Sequence, residues 1–98
     1  MTRSLVERRL SEVAERLREL RGELAITDEQ LNHLEEQADD ARLRALVSET
    51  PLASQEHREA QRHADAMRRH RSDLQSSIDR MEATQDSLLD RLVAQPPS

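Results

Sequence analysis

Residues 6 to 45 decide the fold, and they read VERRLSEVAERLRELRGELAITDEQLNHLEEQADDARLRA. Alternating steps of four and three residues through this stretch meet twelve positions, of which only Thr27 is not apolar. Such a heptad pattern, kept without a slip, predicts one helix of a coiled coil. The twelve positions, hereafter the first seam, are Val6, Leu10, Val13, Leu17, Leu20, Leu24, Thr27, Leu31, Leu34, Ala38, Ala41 and Ala45.

The composition around this stretch excludes most other folds. The 98 residues include no Phe, Tyr, Trp or Cys and one Gly, and 36% of them are charged. A β-sheet or a globular core draws on aromatic and β-branched side chains, which are scarce here. A charged chain with apolar residues at heptad spacing is typical of long helices. We therefore expect an all-α protein.

A turn divides the chain near its middle. Pro51 disfavours helix at Thr50 and suits the first position of a new helix, for which Thr50 is the predicted N-cap. Ser4 and Glu7 have the spacing of a capping box and place the start of helix 1. We predict one domain over residues 1–98, with helix 1 at about 5–47, the turn at 48–50, helix 2 at about 51–94 and a frayed tail at 95–98.

The second helix carries a seam that mirrors the first. Its positions are Ala53, His57, Ala60, Ala64, Met67, Arg71, Leu74, Ile78, Met81, Gln85, Leu88 and Leu92. The numbers of facing positions add to 98, so that Val6 meets Leu92 and Ala45 meets Ala53. The sequence thus predicts an antiparallel two-helix coiled-coil hairpin. Dimerisation into a four-helix bundle, and a kink of helix 1 between Gly22 and Thr27, are left open.

A polar layer interrupts both seams at one level. Thr27 faces Arg71, whose side chain we expect to reach Asp28, and Arg68 is expected to complement Asp28 from the flank. We interpret Thr27, Asp28, Arg68 and Arg71 as a layer that fixes the register of the two helices. The alternative is that Arg71 binds an anion or a carboxylate of a partner.

Four apolar residues next to the turn lie off both seams, namely Leu43, Leu46, Val47 and Leu52. Clustered apolar residues on the surface of a small protein are often contact sites. Either they bind another protein, or they fold over the turn as a hydrophobic plug.

No residue pattern predicts catalysis, a cofactor or a metal site. A helical metal site commonly uses ligands three or four residues apart, a spacing that the histidines lack. These are His33, His57, His63 and His70. The chain has no Cys nucleophile and no Gly-rich phosphate loop, so we expect a protein that is not an enzyme.

Charge and hydropathy limit the partners. The net charge is −5, and the Arg-rich segment 58–71 is interleaved with Glu59 and Asp65 and has no aromatic residue to stack on a base. We therefore expect no direct contact with nucleic acid. No apolar run approaches the roughly 20 residues of a membrane span, and no signal peptide is recognisable, so we expect a cytoplasmic protein without a membrane partner. The leading hypothesis is a non-catalytic coiled-coil module that binds another protein, or itself as a homodimer, through its outer face and apolar tip.

The turn of the predicted hairpin carries one acid, Glu49, and Glu56 follows in helix 2. In outline the hairpin resembles the N-terminal coiled coil of the Gre transcript-cleavage factors, whose tip carries paired acids that hold a catalytic metal inside RNA polymerase. The resemblance implies an alternative function, in which the chain is a bacterial transcription regulator that binds RNA polymerase or a sigma factor. Because the turn has one acid rather than a pair, transcript cleavage is not expected.

Overall fold

The structure is a computed structural model, and it describes residues 2–94 of the chain. Within that range it contains two α-helices, α1 (Arg3–Ser48) and α2 (Pro51–Ala94), and no strand. The helices form an antiparallel hairpin, which confirms the predicted fold class. The predicted frayed tail at 95–98 lies outside the described residues. Dimerisation into a four-helix bundle stays a prediction.

Contacts between the helices group into two units. The base unit joins α1 as far as Glu23 to α2 from Leu74, and the tip unit is Leu24–Asp73. In the base unit, Nη1 of Arg3 donates to the backbone carbonyl of Leu92 near the end of α2, at 3.4 Å. That contact joins the start of one helix to the end of the other, as antiparallel packing requires. A single domain over the whole chain stays a prediction.

Both seams form the contact between the helices. All twelve positions of each seam are buried or half-buried, and every buried residue in the described chain belongs to one of them. The buried apolar residues are Val6, Val13, Leu17, Leu20, Leu31, Ala38, Ala41, Ala53, Ala64, Leu74, Ile78 and Leu88. Burial at about 0.8 kcal/mol per CH₂ therefore stabilises the hairpin along one stripe of each helix. Most of the large aliphatic residues in this core belong to the base unit.

The start of α1 differs from the prediction. The Oγ1 atom of Thr2 accepts a hydrogen bond from the backbone N–H of Leu5 at 3.2 Å, so Thr2 is the N-cap. Ser4 lies inside the helix, and the predicted capping box of Ser4 and Glu7 is wrong. The Glu7 carboxylate instead pairs with Nε of Arg3 one turn earlier, at 3.2 Å. The longer helix gains that ion pair, and Thr2 supplies the same type of cap that Ser4 would have supplied.

Two residues connect the helices. Glu49 has a φ of 52°, the left-handed conformation that commonly ends a helix, and its N–H donates to the carbonyl of Ala45 at 3.1 Å. Thr50 is the N-cap of α2, since its Oγ1 atom accepts from the N–H of Ala53 at 3.2 Å. Pro51 occupies the first helical position, where its missing N–H costs nothing. A backbone hydrogen bond thus closes the α1 side of the turn, and a side-chain cap closes the α2 side.

Candidate functional site

The apolar tip consists of Leu43, Leu46, Val47 and Leu52, and all four side chains are exposed. Their exposed fractions are 53%, 64%, 86% and 65% respectively. Leu43, Leu46 and Val47 are spaced by three and four residues, so they share the outer face of the last turns of α1. In the described chain α1 ends at Ser48 and α2 begins at Pro51, so the two-residue connection supplies no segment that covers them. The structure therefore does not pack them over the turn as a plug.

The connection beneath the apolar tip is held in one conformation. The two caps described above, at Glu49 and Thr50, satisfy backbone groups that a helix end otherwise leaves open. The seam residues at this level are Ala45 and Ala53, whose small side chains let the helices approach closely. A surface that is already ordered loses little conformational entropy when a partner binds.

Charged residues around the turn are few and mixed in sign. Glu49 lies in the turn itself, while Glu56 lies within α2. Arg42 and Arg44 flank Leu43 on α1. In the described part of the chain the turn thus carries one acid, and the paired acids of a Gre-type tip are not found there. Binding to RNA polymerase or to a sigma factor stays a prediction.

The polar layer brings together three of its four predicted members. Thr27 is buried, and Nε of Arg71 donates to Oδ1 of Asp28 on the neighbouring helix. The Arg71 side chain is 39% exposed and that of Asp28 is 44% exposed. The Arg71 side chain therefore extends out of the seam, and its guanidinium group lies at the edge of the contact between the helices, where water reaches it. Arg71 thus reaches Asp28 across the hairpin, whereas the role of the layer in fixing the register stays a prediction.

Arg68 does not join that layer. Its Nη2 atom donates to Oε1 of Glu35 at 2.9 Å, and its Nη1 atom donates to Oδ1 of Asp65 at 2.7 Å. Helical side chains lean toward the N-terminus of their own helix, and the two helices of the hairpin run in opposite directions. Two side chains on different helices therefore lean toward each other when their residue numbers add to more than 98, the sum for facing positions. Arg68 and Glu35 total 103, whereas Arg68 and the expected partner Asp28 total 96 and lean apart.

Two groups in this cluster, Asp65 and Arg68, have shifted pKa values. A hydrogen bond from Gln61 is the main cause that lowers the pKa of Asp65, and the hydrogen bond and charge of Arg68 add to it. The pKa of Arg68 is raised, first by its hydrogen bond to Glu35 and then by that to Asp65. Both side chains are about half exposed, so their ion pairs lie on the flank of the tip unit in contact with water.

A shallow groove lies on the tip unit, and sequence reasoning missed it. Leu34, Ala66 and Met67 line its floor, His63 and His70 line its edge, and its volume is about 350 Å³. The signal in the sequence was Ala66, a small residue just off the second seam, between two histidines seven residues apart. His33 contacts Gln37 on α1, with 3.2 Å between its Nε2 atom and Nε2 of Gln37.

Two further findings concern the described part of the chain. Among residues 2–94, no three side chains of His, Asp or Glu converge in a way that could hold a metal ion. Neither helix, over the same residues, has the length and apolar character needed to cross a membrane.

Comparison of the chain with family models, with curated proteins and with solved structures finds no match.

Proposed function

We propose that the chain is a non-catalytic protein-binding hairpin, which contacts another protein through its apolar tip. The observation that carries this proposal is the exposure of four aliphatic side chains close to a capped turn, Leu43, Leu46 and Val47 at the end of α1 and Leu52 at the start of α2. Exposed single apolar residues are common, but a contiguous cluster on a small protein is typical of an interface.

The chemistry of the tip supports binding rather than catalysis. Aliphatic side chains gain free energy when water is removed from them, and they supply no acid, base or nucleophile. Leu43, Leu46 and Val47 repeat the three- and four-residue spacing with which a helix inserts its apolar residues into a groove. A helix is about 10 Å across, so two helices and a two-residue turn present a narrow, convex end. The partner surface that fits it is concave and apolar.

Affinity capture from the native host tests the proposal. The tagged hairpin is used as bait beside a tip variant that carries Leu43→Ser and Leu46→Ser, and captured proteins are identified by mass spectrometry. Both substitutions remove exposed apolar surface without touching the seam, so helicity by circular dichroism should stay unchanged. We expect the tip variant to lose a protein that the unmodified hairpin captures.

A matched control separates the tip from general surface hydrophobicity. Ile26 is an apolar residue of the same helix and is 58% exposed, comparable to Leu43 and Leu46. It lies away from the turn, so Ile26→Ser should leave capture unchanged. Equal capture by the tip variant and the unmodified hairpin would remove the proposal.

A further inference from the structure

The groove on the tip unit has an apolar floor and two histidines at its edge. Leu34 and Met67 are half-buried seam residues, and Ala66 beside them is exposed. The edge on α2 is formed by His63 and His70. Aliphatic side chains are thus accessible between the two helices here, although 36% of the residues in the chain are charged.

Arginines accompany both histidines of the groove. Arg62 precedes His63, and Arg69 precedes His70, so the pair Arg-His recurs after seven residues, two turns further along α2. Within residues 2–94, neither Arg62 nor Arg69 has a carboxylate oxygen within 4.0 Å, unlike Arg68 and Arg71. Arg69 acts on Asp65 only through its charge at longer range. The groove thus lies beside two guanidinium groups that are available to a partner.

The segment of α1 before the apolar tip has the opposite charge. Asp39 and Asp40 lie four and three residues before Leu43, and Glu36 lies one turn earlier. All three are exposed, and in the described chain none has an arginine nitrogen within 4.0 Å. The outer face of α1 therefore passes from unpaired acids to exposed aliphatic residues within three turns.

We propose that the apolar tip of one molecule docks into this groove on a second copy of the same chain. The inference rests on the proposed function, because it names the partner of the same tip. Leu43, Leu46 and Val47 cover Leu34, Ala66 and Met67. Asp39 and Asp40 are four and three residues from Leu43, and Arg62 and Arg69 are four and three residues from Ala66. With Leu43 over Ala66, the two acids therefore lie at the level of Arg62 or Arg69.

Charge complementarity selects a second copy over other occupants. A helix without acids would leave Arg62 and Arg69 unpaired, and one with basic residues there would be repelled. A nucleic acid would engage the arginines but would leave the aliphatic floor open to water, and the chain has no aromatic side chain to stack on its bases. The outer face of α1 supplies both the apolar and the acidic part.

A complementation experiment tests the tip-to-groove contact. The contact is small, so sedimentation equilibrium is run from about 10 μM to 1 mM at pH 8 and low salt. Two variants are compared with the unmodified chain, namely the tip variant Leu43→Ser with Leu46→Ser, and the groove variant Ala66→Glu. Ala66 is exposed, so its substitution leaves the seam intact.

The unmodified chain should associate as its concentration rises, above the monomer mass of 11.3 kDa. Each variant alone should associate at least tenfold more weakly. An equimolar mixture should regain a complex, because one variant keeps an intact groove and the other an intact tip. Ala83→Glu, the same change at an exposed position of α2 outside the groove, should associate as the unmodified chain does. Raising the salt to 0.5 M should weaken association by screening the acids from Arg62 and Arg69.

Several outcomes would overturn the inference. A mixture that stays monomeric, a groove variant that associates normally, or an unmodified chain that is monomeric at 1 mM would each do so. Binding of a single-stranded oligonucleotide that Arg62→Glu abolishes would assign the arginines to phosphate instead. If the unmodified chain is monomeric but its tip still captures a different host protein, the inference falls and the proposed function stands.

Discussion

Glu49 holds the left-handed conformation that ends α1, with a φ of 52°. For residues with a Cβ atom this conformation costs roughly 1–2 kcal/mol, which glycine avoids. Glycine also loses more entropy on folding, by about 0.5–1 kcal/mol. We therefore expect Glu49→Gly to raise the free energy of unfolding by about 1 kcal/mol, measured by urea denaturation followed at 222 nm.

A control on the neighbouring residue tests whether glycine stabilises only where the backbone is left-handed. Ser48 is the last residue of α1 and has a helical conformation. Ser48→Gly should lower stability by a few tenths of a kcal/mol, since glycine is the poorer helix former. A fall in stability for Glu49→Gly would show that the turn does not need the left-handed conformation to close.

The carboxyl group of Asp65 offers a second test at this scale. Hydrogen bonding from Gln61, followed by the effects of Arg68, lowers its folded-state pKa below the ordinary value of 3.8. The stabilisation that this brings is fully present above about pH 4 and is lost as the pH falls through the lowered pKa. An NMR titration of the Asp65 carboxyl carbon should show its pKa rising in Gln61→Ala. An unchanged pKa in that variant would assign the shift to Arg68 alone.

At the scale of the helix, Gly22 is a weak point in α1 that has no structural need. A Cβ atom built there meets nothing within 4 Å, and its φ is not positive. Gly22→Ala should therefore raise the free energy of unfolding by about 1 kcal/mol, the difference in helix propensity. The exposed Ala25, on the same helix, provides the reverse substitution. Ala25→Gly should lower the free energy of unfolding by a similar amount. If Gly22→Ala and Ala25→Gly had the same free energy of unfolding, the explanation would be contradicted.

The polar layer between α1 and α2 leads to a prediction about stability. Arg71 and Asp28 are both partly exposed, so their ion pair is worth at most about 1 kcal/mol. A leucine at position 71 would continue the second seam and bury apolar surface against Thr27. Arg71→Leu should therefore leave stability unchanged or raise it by up to about 1 kcal/mol in thermal denaturation. Arg69→Leu, at a site outside the seam, serves as the control.

A loss of about 3–5 kcal/mol in Arg71→Leu would have a different meaning. It would show that Arg71 belongs to a buried network rather than to a register-fixing layer.

The sequence predicted which residues the helices bury but not where their ends and flanks form contacts. Seam positions such as Leu17 and Ile78 could be read directly, because heptad spacing determines which side of a helix is covered. The cap at Thr2 was missed since Ser4 offers the same chemistry two residues later. The partner of Arg68 was missed since spacing alone does not include the lean of side chains along a helix. The open groove near Ala66 was missed because it depends on how much of the Met67 side chain is buried, and heptad spacing does not predict the extent of burial.

For the whole molecule, stability should come mainly from aliphatic residues of the base unit. Leu17 is among the most completely buried side chains, and the core has no aromatic residue to share its role. Leu17→Ala should cost about 3 kcal/mol in urea denaturation, the sum of lost transfer free energy and a cavity. Leu46→Ala, an equal truncation at an exposed position, should change stability by less than about 0.5 kcal/mol. Similar losses in both variants would mean that Leu46 is covered in solution.

The two-residue connection at Glu49 and Thr50 also affects the order in which contacts between the helices form during folding. Ala45 and Ala53 are eight residues apart along the chain, whereas Val6 and Leu92 are 86 apart. Closing a longer loop costs more entropy, so the hairpin should close beside the turn first and extend away from it. Early contacts set the rate of folding, and late contacts set the rate of unfolding. The tip unit should therefore govern how fast the protein folds, and the base unit should govern how long it stays folded.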